Sequence, residues 1–184
     1  MKKLLNTALL LFAVLMTSCT APNAWELVSK DSNVRFALEN KQENGSTMLS
    51  YSVFYKDGVA MEKSLLGLVM DNCEYGKDAQ FVSASAVKDI SNAYQLKSGK
   101  KLNTTDECRE QIFTFRNKEN KQFNLIVRVY NDGVAFRYEL PGEAGQMHTI
   151  QTEHTEFAVP VNGKAWIHPY DWNDRHKPSY EQYC

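Results

Sequence analysis

From Trp25 onward, apolar and polar positions alternate with a period of two far more often than they recur at helical spacing, which predicts half-buried strands. Val34, Phe36 and Leu38 fall on one face, with Arg35, Ala37 and Glu39 on the other. The polar run over residues 40–45 predicts a turn. Leu49, Tyr51, Val53 and Tyr55 then alternate as far as Lys56-Asp57-Gly58, an Asp-Gly turn signal, so the two runs predict an antiparallel hairpin. Residues 65–70 are more continuously apolar, as expected of a strand buried on both faces, although so short a run also fits a helix.

Residues 71–101 are polar and interrupted by Gly76 and Gly99. Within them, residues 82–96 predict one strand and part of a second, with Gly99 near a turn. Ile112, Phe113 and Phe115 start a better-defined strand, and residues 117–121 read as a charged turn. The run over 123–130 leads into Asn131-Asp132-Gly133, and Val134, Phe136, Tyr138 and Leu140 return as far as Pro141-Gly142. This is the clearest hairpin, because Asp-Gly tolerates positive φ between two β-branched, aromatic-rich runs. Short strands at a spacing of roughly 8 to 12 residues predict an all-β antiparallel sandwich rather than a βαβ fold. No GxGxxG, phosphate loop, internal repeat or Pro/Ser-rich linker interrupts that pattern.

Composition narrows the class. The chain has 184 residues, 43% hydrophobic, 23% charged and 11% aromatic, which suits one sizeable globular domain. Lysine and arginine number 21 against 22 acids, a formal charge of −1 with no extended basic run, so nucleic acid is not an expected partner. Met1-Lys2-Lys3 followed by a mostly apolar stretch over 4–16 has the layout of a secretory signal and is too short to span a bilayer. Leu15-Met16-Thr17-Ser18-Cys19 places small residues before a cysteine, as in a bacterial lipoprotein signal site with Cys19 acylated; the plainer alternative is ordinary cleavage nearby. Residues 1–18 are therefore set aside as a signal peptide and 19–24 as a short tether, leaving a domain over 25–184. The expected location is the periplasm, or the outer membrane of a Gram-negative bacterium through a lipid anchor. Removing Lys2 and Lys3 lowers the basic count to 19 against 22 acids, a formal −3.

Export permits disulfides. Cys73 and Cys108 could close one bridge, with Cys184 left over, or all three could act as small buried hydrophobes; without C-x-x-C, a zinc or thioredoxin-like site has no support. His148 and His154 flank Glu153 outside H-E-x-x-H spacing and read as surface residues. Ser32, Ser64 and Ser179 lie outside G-x-S-x-G, and the cysteines lack a nucleophile context.

The stretch Phe123-Asn124-Leu125-Ile126-Val127-Arg128-Val129-Tyr130-Asn131-Asp132-Gly133-Val134-Ala135-Phe136-Arg137-Tyr138 resembles the signature of the N-terminal domain of glycoside hydrolase family 97, which includes bacterial α-glucosidases and α-galactosidases. Leu27-Val28-Ser29, Val34-Arg35-Phe36, Tyr51-Ser52-Val53, Ser64-Leu65-Leu66-Gly67-Leu68, Thr155-Glu156-Phe157 and Trp166-Ile167-His168-Pro169-Tyr170-Asp171-Trp172 agree with it in order. The resemblance implies a β-supersandwich similar to galactose mutarotase-like domains, leading in the whole enzyme into a (β/α)8 catalytic barrel and a small C-terminal β domain. It also implies an α-glucoside or α-galactoside as substrate and calcium as cofactor. The family's first domain runs through further strands, so the resemblance implies an N-terminal piece, incomplete at its C-terminus, of a truncated or split gene or a shortened clone. The acid and the second carboxylate that glycoside hydrolysis needs belong to the family's barrel, so no catalytic residue is expected here.

The tail crowds aromatic, acidic and basic side chains together, a composition suited to sugars because ring faces pack against C–H groups while charged groups bond hydroxyls. By the same resemblance, Asp171, Trp172 and Arg175 are candidate substrate contacts and Glu181 a candidate calcium ligand. One glutamate cannot hold calcium alone, which takes six to eight oxygens, so the fragment by itself is expected to hold little or none. The plainer reading buries Trp166, Tyr170 and Trp172 in the seam with the barrel. A separate class remains open, a stand-alone carbohydrate-binding or scaffolding β-sandwich lipoprotein.

Overall fold

A computed structural model describes residues 23–43, 45–71, 73–100, 102–142 and 147–166. Every regular element among them is a strand, and every pairing is antiparallel. The first sheet takes β1 (Ala24–Val28), β2 (Val34–Glu43), β3 (Ser46–Tyr55) and β4 (Gly58–Leu65) in chain order. A three-stranded sheet joins β5 (Leu68–Met70), β6 (Cys73–Tyr75) and β12 (Ile150–Glu153) in the order β12-β5-β6. The second large sheet is built from β7 (Gln80–Ala84), β8 (Lys88–Gln95), β9 (Asn103–Arg116), β10 (Gln122–Val129) and β11 (Val134–Glu139); it runs β11-β10-β9-β7, and β8 also pairs with β9.

The alternation read from the sequence sets which side chains enter the core. Val34, Phe36 and Leu38 of β2 are buried, as are Leu49 and Tyr51 of β3. From the second sheet, Phe113 and Phe115 of β9 and Phe123, Leu125, Val127 and Val129 of β10 meet them in one cluster. Trp25 crosses between the sheets, its ring 4.5 Å from that of Phe81 and edge-on to Phe115 at 5.6 Å. Burying each such side chain contributes about 1.5–3 kcal/mol.

Three local expectations are corrected. Residues 40–43 continue β2 instead of turning, with pairing that runs on to Glu43 opposite Ser46; Asn40 is buried and donates its Nδ2 to the Ala79 carbonyl at 2.7 Å, which supplies the partner a polar strand residue requires. The apolar run over 65–70 is not one strand: β4 ends at Leu65, Leu66-Gly67 make the passage, and β5 begins at Leu68 in a different sheet. At the turns, positive φ falls on Lys56 (52°) and not on the following Asp57-Gly58, while Asn131-Asp132-Gly133 contains no positive φ. The hairpin of β10 and β11 nevertheless forms at the expected place, with the Tyr130 amide donating to the Gly133 carbonyl at 2.8 Å.

Candidate functional site

Among the described residues, strand β11 has β10 on one side and no strand on the other, so its inward side chains line an opening at the rim of the second sheet. The facing wall is the segment from β12 to residue 158. That segment is held by its backbone: the His154 amide donates to the Gly67 carbonyl and the Glu156 amide to the Leu65 carbonyl, both at 2.9 Å, and the Glu62 amide donates to the Ala158 carbonyl at 2.8 Å. Buried Ser64 accepts the Ala158 amide at 2.9 Å and donates to the Glu62 carbonyl at the same distance. Ser64 therefore fixes the segment, a structural role and no part of a nucleophile.

Between the two walls lies a cleft of about 580 Å³, whose lining includes Phe136, Tyr138, Leu140, Ile150, Thr155 and Phe157. The rings of Phe136 and Phe157 stack with centroids 6.3 Å apart, and Phe136 meets Tyr51 edge-on at 5.1 Å. Tyr51 donates its hydroxyl to the Glu156 carbonyl at 2.8 Å, and burial pushes its pKa up. The hydroxyls of Tyr138 and Thr155 bond across the cleft at 2.9 Å, and burial pushes Tyr138 up to about 12. Phe157 remains 65% exposed, so its ring opens the cleft to solvent, and Trp166 is 89% exposed.

The sequence-predicted site residues Asp171, Trp172, Arg175 and Glu181, and the acylation candidate Cys19, all lie outside the described residues. Among the described residues, no three His, Cys, Asp or Glu side chains converge in a group that could hold a metal ion. His148, Glu153 and His154 are exposed. Cys73 and Cys108 are free and buried, Cys73 within the core cluster and Cys108 on the outward face of β9. Sequence reasoning placed Phe136, Tyr138 and Phe157 on strands or in the matched segments without joining them into a cleft. The available signal was the in-facing triplet Val134, Phe136, Tyr138, which is too apolar for a strand at a solvated rim.

Antiparallel sheets packed face to face, with an aromatic cleft opening at one rim, define a β-sandwich domain. The chain belongs to the glycosyl-hydrolase 97 N-terminal family, whose model matches residues 27–184. A probable retaining alpha-galactosidase of Streptomyces bingchenggensis is 29% identical over 110 residues, covering 60% of this chain and 17% of that protein. A glycoside hydrolase family 97 enzyme from Pseudoalteromonas sp. strain K8, solved with panose, superposes with a TM-score of 0.65 at 23% identity over 74% of this chain and 20% of its own. A beta-arabinopyranosidase superposes at 0.67 with 28% identity, over 74% and 21%. The chain thus spans about a fifth of the length of these relatives.

Proposed function

We propose that this chain is the N-terminal, active-site-completing domain of an exported α-glycoside hydrolase, inactive by itself and working with a catalytic barrel joined in the same polypeptide or supplied as a separate one. The observation that carries the reading is the aromatic cleft between β11 and the 150–158 segment. A sheet rim where Phe136, Tyr138, Leu140, Ile150 and Phe157 outnumber the charged Arg137 and Glu153 is more apolar than a solvated edge requires, which supports an association surface.

In this reading the barrel supplies both carboxylates of the reaction. The residues of this chain exclude water from the seam and hold the 150–158 segment, so that the chain beyond Trp166 reaches the mouth of the barrel. There Asp171, Trp172 and Arg175 would touch the sugar, and Glu181 would add one oxygen to a calcium shell completed by the barrel. The alpha-galactosidase relative and the panose-bound family enzyme favour an α-galactoside or α-glucoside as the substrate class. The basic, apolar and small-residue order of residues 1–19 supports export with Cys19 as a lipid anchor, and the mass of the mature N-terminus tests that part alone.

The experiment is to make a family 97 barrel without its own first domain and to assay α-glycoside hydrolysis over a range of concentrations of this chain. A saturable rise in activity, weakened by Phe157→Ala, is the expected result. Activity that stays the same at every concentration counts against the proposal.

A further inference from the structure

The second large sheet has an outward face whose side chains line two adjoining clefts, the first of which meets the seam cleft at Ala135, Phe136 and Arg137. Register places Ile126, Arg128, Ala135 and Arg137 on that face, opposite the core side chains Leu125, Val127 and Phe136. One cleft, of about 400 Å³, runs over Arg128, Tyr130 and Arg137. The second, also about 400 Å³, runs from Tyr130 over Asp106 and Asp132 to Tyr94. Each volume lies within the range of small-molecule sites, about 300–1,000 Å³. Tyr130 lines both, so the two clefts adjoin as a groove at the end of β10.

We infer that this outward groove is a second carbohydrate-binding site, one that takes a neutral oligosaccharide chain independently of the seam with the barrel. Tyr94 is 50% exposed near the end of β8, a strand exposed along nearly its whole length, so its ring is accessible to the C–H side of a pyranose. Arg128 is held in place by its Nε, which donates to Glu110 Oε2 at 2.7 Å, and the Tyr130 side chain lies beside it at the junction of the two clefts. Arg137, Asp106 and Asp132 make no hydrogen bond or ion pair among the described residues, which leaves guanidinium donors at one end and carboxylate acceptors at the other for sugar hydroxyls. Charge of both signs along one groove disfavours a polyanion at the Asp106 end and a polycation at the Arg137 end, which leaves a neutral chain as the ligand. The groove lies open on a sheet face, a shape suited to the middle of a chain instead of a single enclosed sugar.

The test is calorimetry on the 184-residue chain, paired with amide chemical-shift mapping, using maltoheptaose, cellohexaose, mannohexaose and polygalacturonate as probes. The expected result is saturable millimolar or tighter binding of at least one neutral probe, with shifts at the end of β8 and in the 130–132 turn. Tyr94→Ala should weaken binding by about tenfold or more, and Tyr94→Phe should leave it within about twofold. Asp106→Asn serves as a second variant should Tyr94→Ala fail to fold, and it should also weaken binding. Four results would overturn the inference: no saturable binding of any neutral probe, binding unchanged in both variants, preference for polygalacturonate, or binding lost in Phe157→Ala but kept in Tyr94→Ala. The last would place the sugar at the seam, so the barrel-completing role and this groove stand or fall separately.

Discussion

The Tyr138 hydroxyl lies 2.9 Å from the Thr155 hydroxyl, so one bond between two neutral groups ties the rim strand β11 to the segment that forms the other wall of the cleft. Burial raises Tyr138 from 10.0 to about 12 and raises Tyr51 in the same direction. A folded-state value above the unfolded one means that the stability contributed is fully present below about pH 10 and is lost as pH rises through about 12. Urea midpoints should therefore hold level up to about pH 9 and fall between about 10 and 12, with a shallower fall in Tyr138→Phe. An equal slope in the two proteins would show that the tyrosine does not report on the cleft.

Gly76 sets the angle at which the chain leaves the three-stranded sheet. Its φ is +97°, and a Cβ there would come within 2.1 Å of the Leu66 carbonyl oxygen and 2.8 Å of the Gly67 Cα. Both neighbours are backbone, so neither can swing aside. Gly76→Ala should cost well over about 1 kcal/mol by urea denaturation, because it adds a clash to a left-handed conformation. Gly99, with φ +125° and open space around it, is the control: Gly99→Ala carries the conformational strain alone and should cost less.

The cysteines make a separate prediction. Cys73 packs in the core and Cys108 on the outward face of the second sheet, where burial pushes its thiol pKa up. Neither should react with a thiol reagent at about pH 8 in the native protein, and both should react in concentrated urea without a reductant. A thiol count in urea that rises by two only after reduction would reveal a bridge between them and contradict this packing.

Much of the fold was legible because its strands follow the rule of alternation. The inward positions of β2, β10 and β11 could be read directly, since each is half-buried and amphipathic. The first part of β9 could not be read that way. Asn103, Thr104, Thr105, Asp106 and Glu107 are polar on both faces and pair only with the exposed β8, so no apolar stripe marks them. Asn40 misled for the opposite reason, since a polar residue normally signals a turn and here is buried with its amide donating to the carbonyl of Ala79, 39 residues away. The cleft was illegible as a unit because Phe136 and Phe157 belong to separate segments brought together by the backbone bonds of residues 154–158 to β4 and to Gly67 and by the Tyr138–Thr155 hydroxyl bond. Asp171, Trp172, Arg175 and Glu181 came from family resemblance alone, as periodicity carries no information about a sugar or metal contact.

The most direct test of the central claim is the turnover of p-nitrophenyl α-glucoside and α-galactoside by the purified 184-residue chain in the presence of calcium. The account predicts p-nitrophenol release indistinguishable from buffer, since the proposed function assigns both carboxylates of the reaction to the barrel. Release that grows in proportion to the concentration of the chain, by a protein that sediments as a monomer, would contradict it.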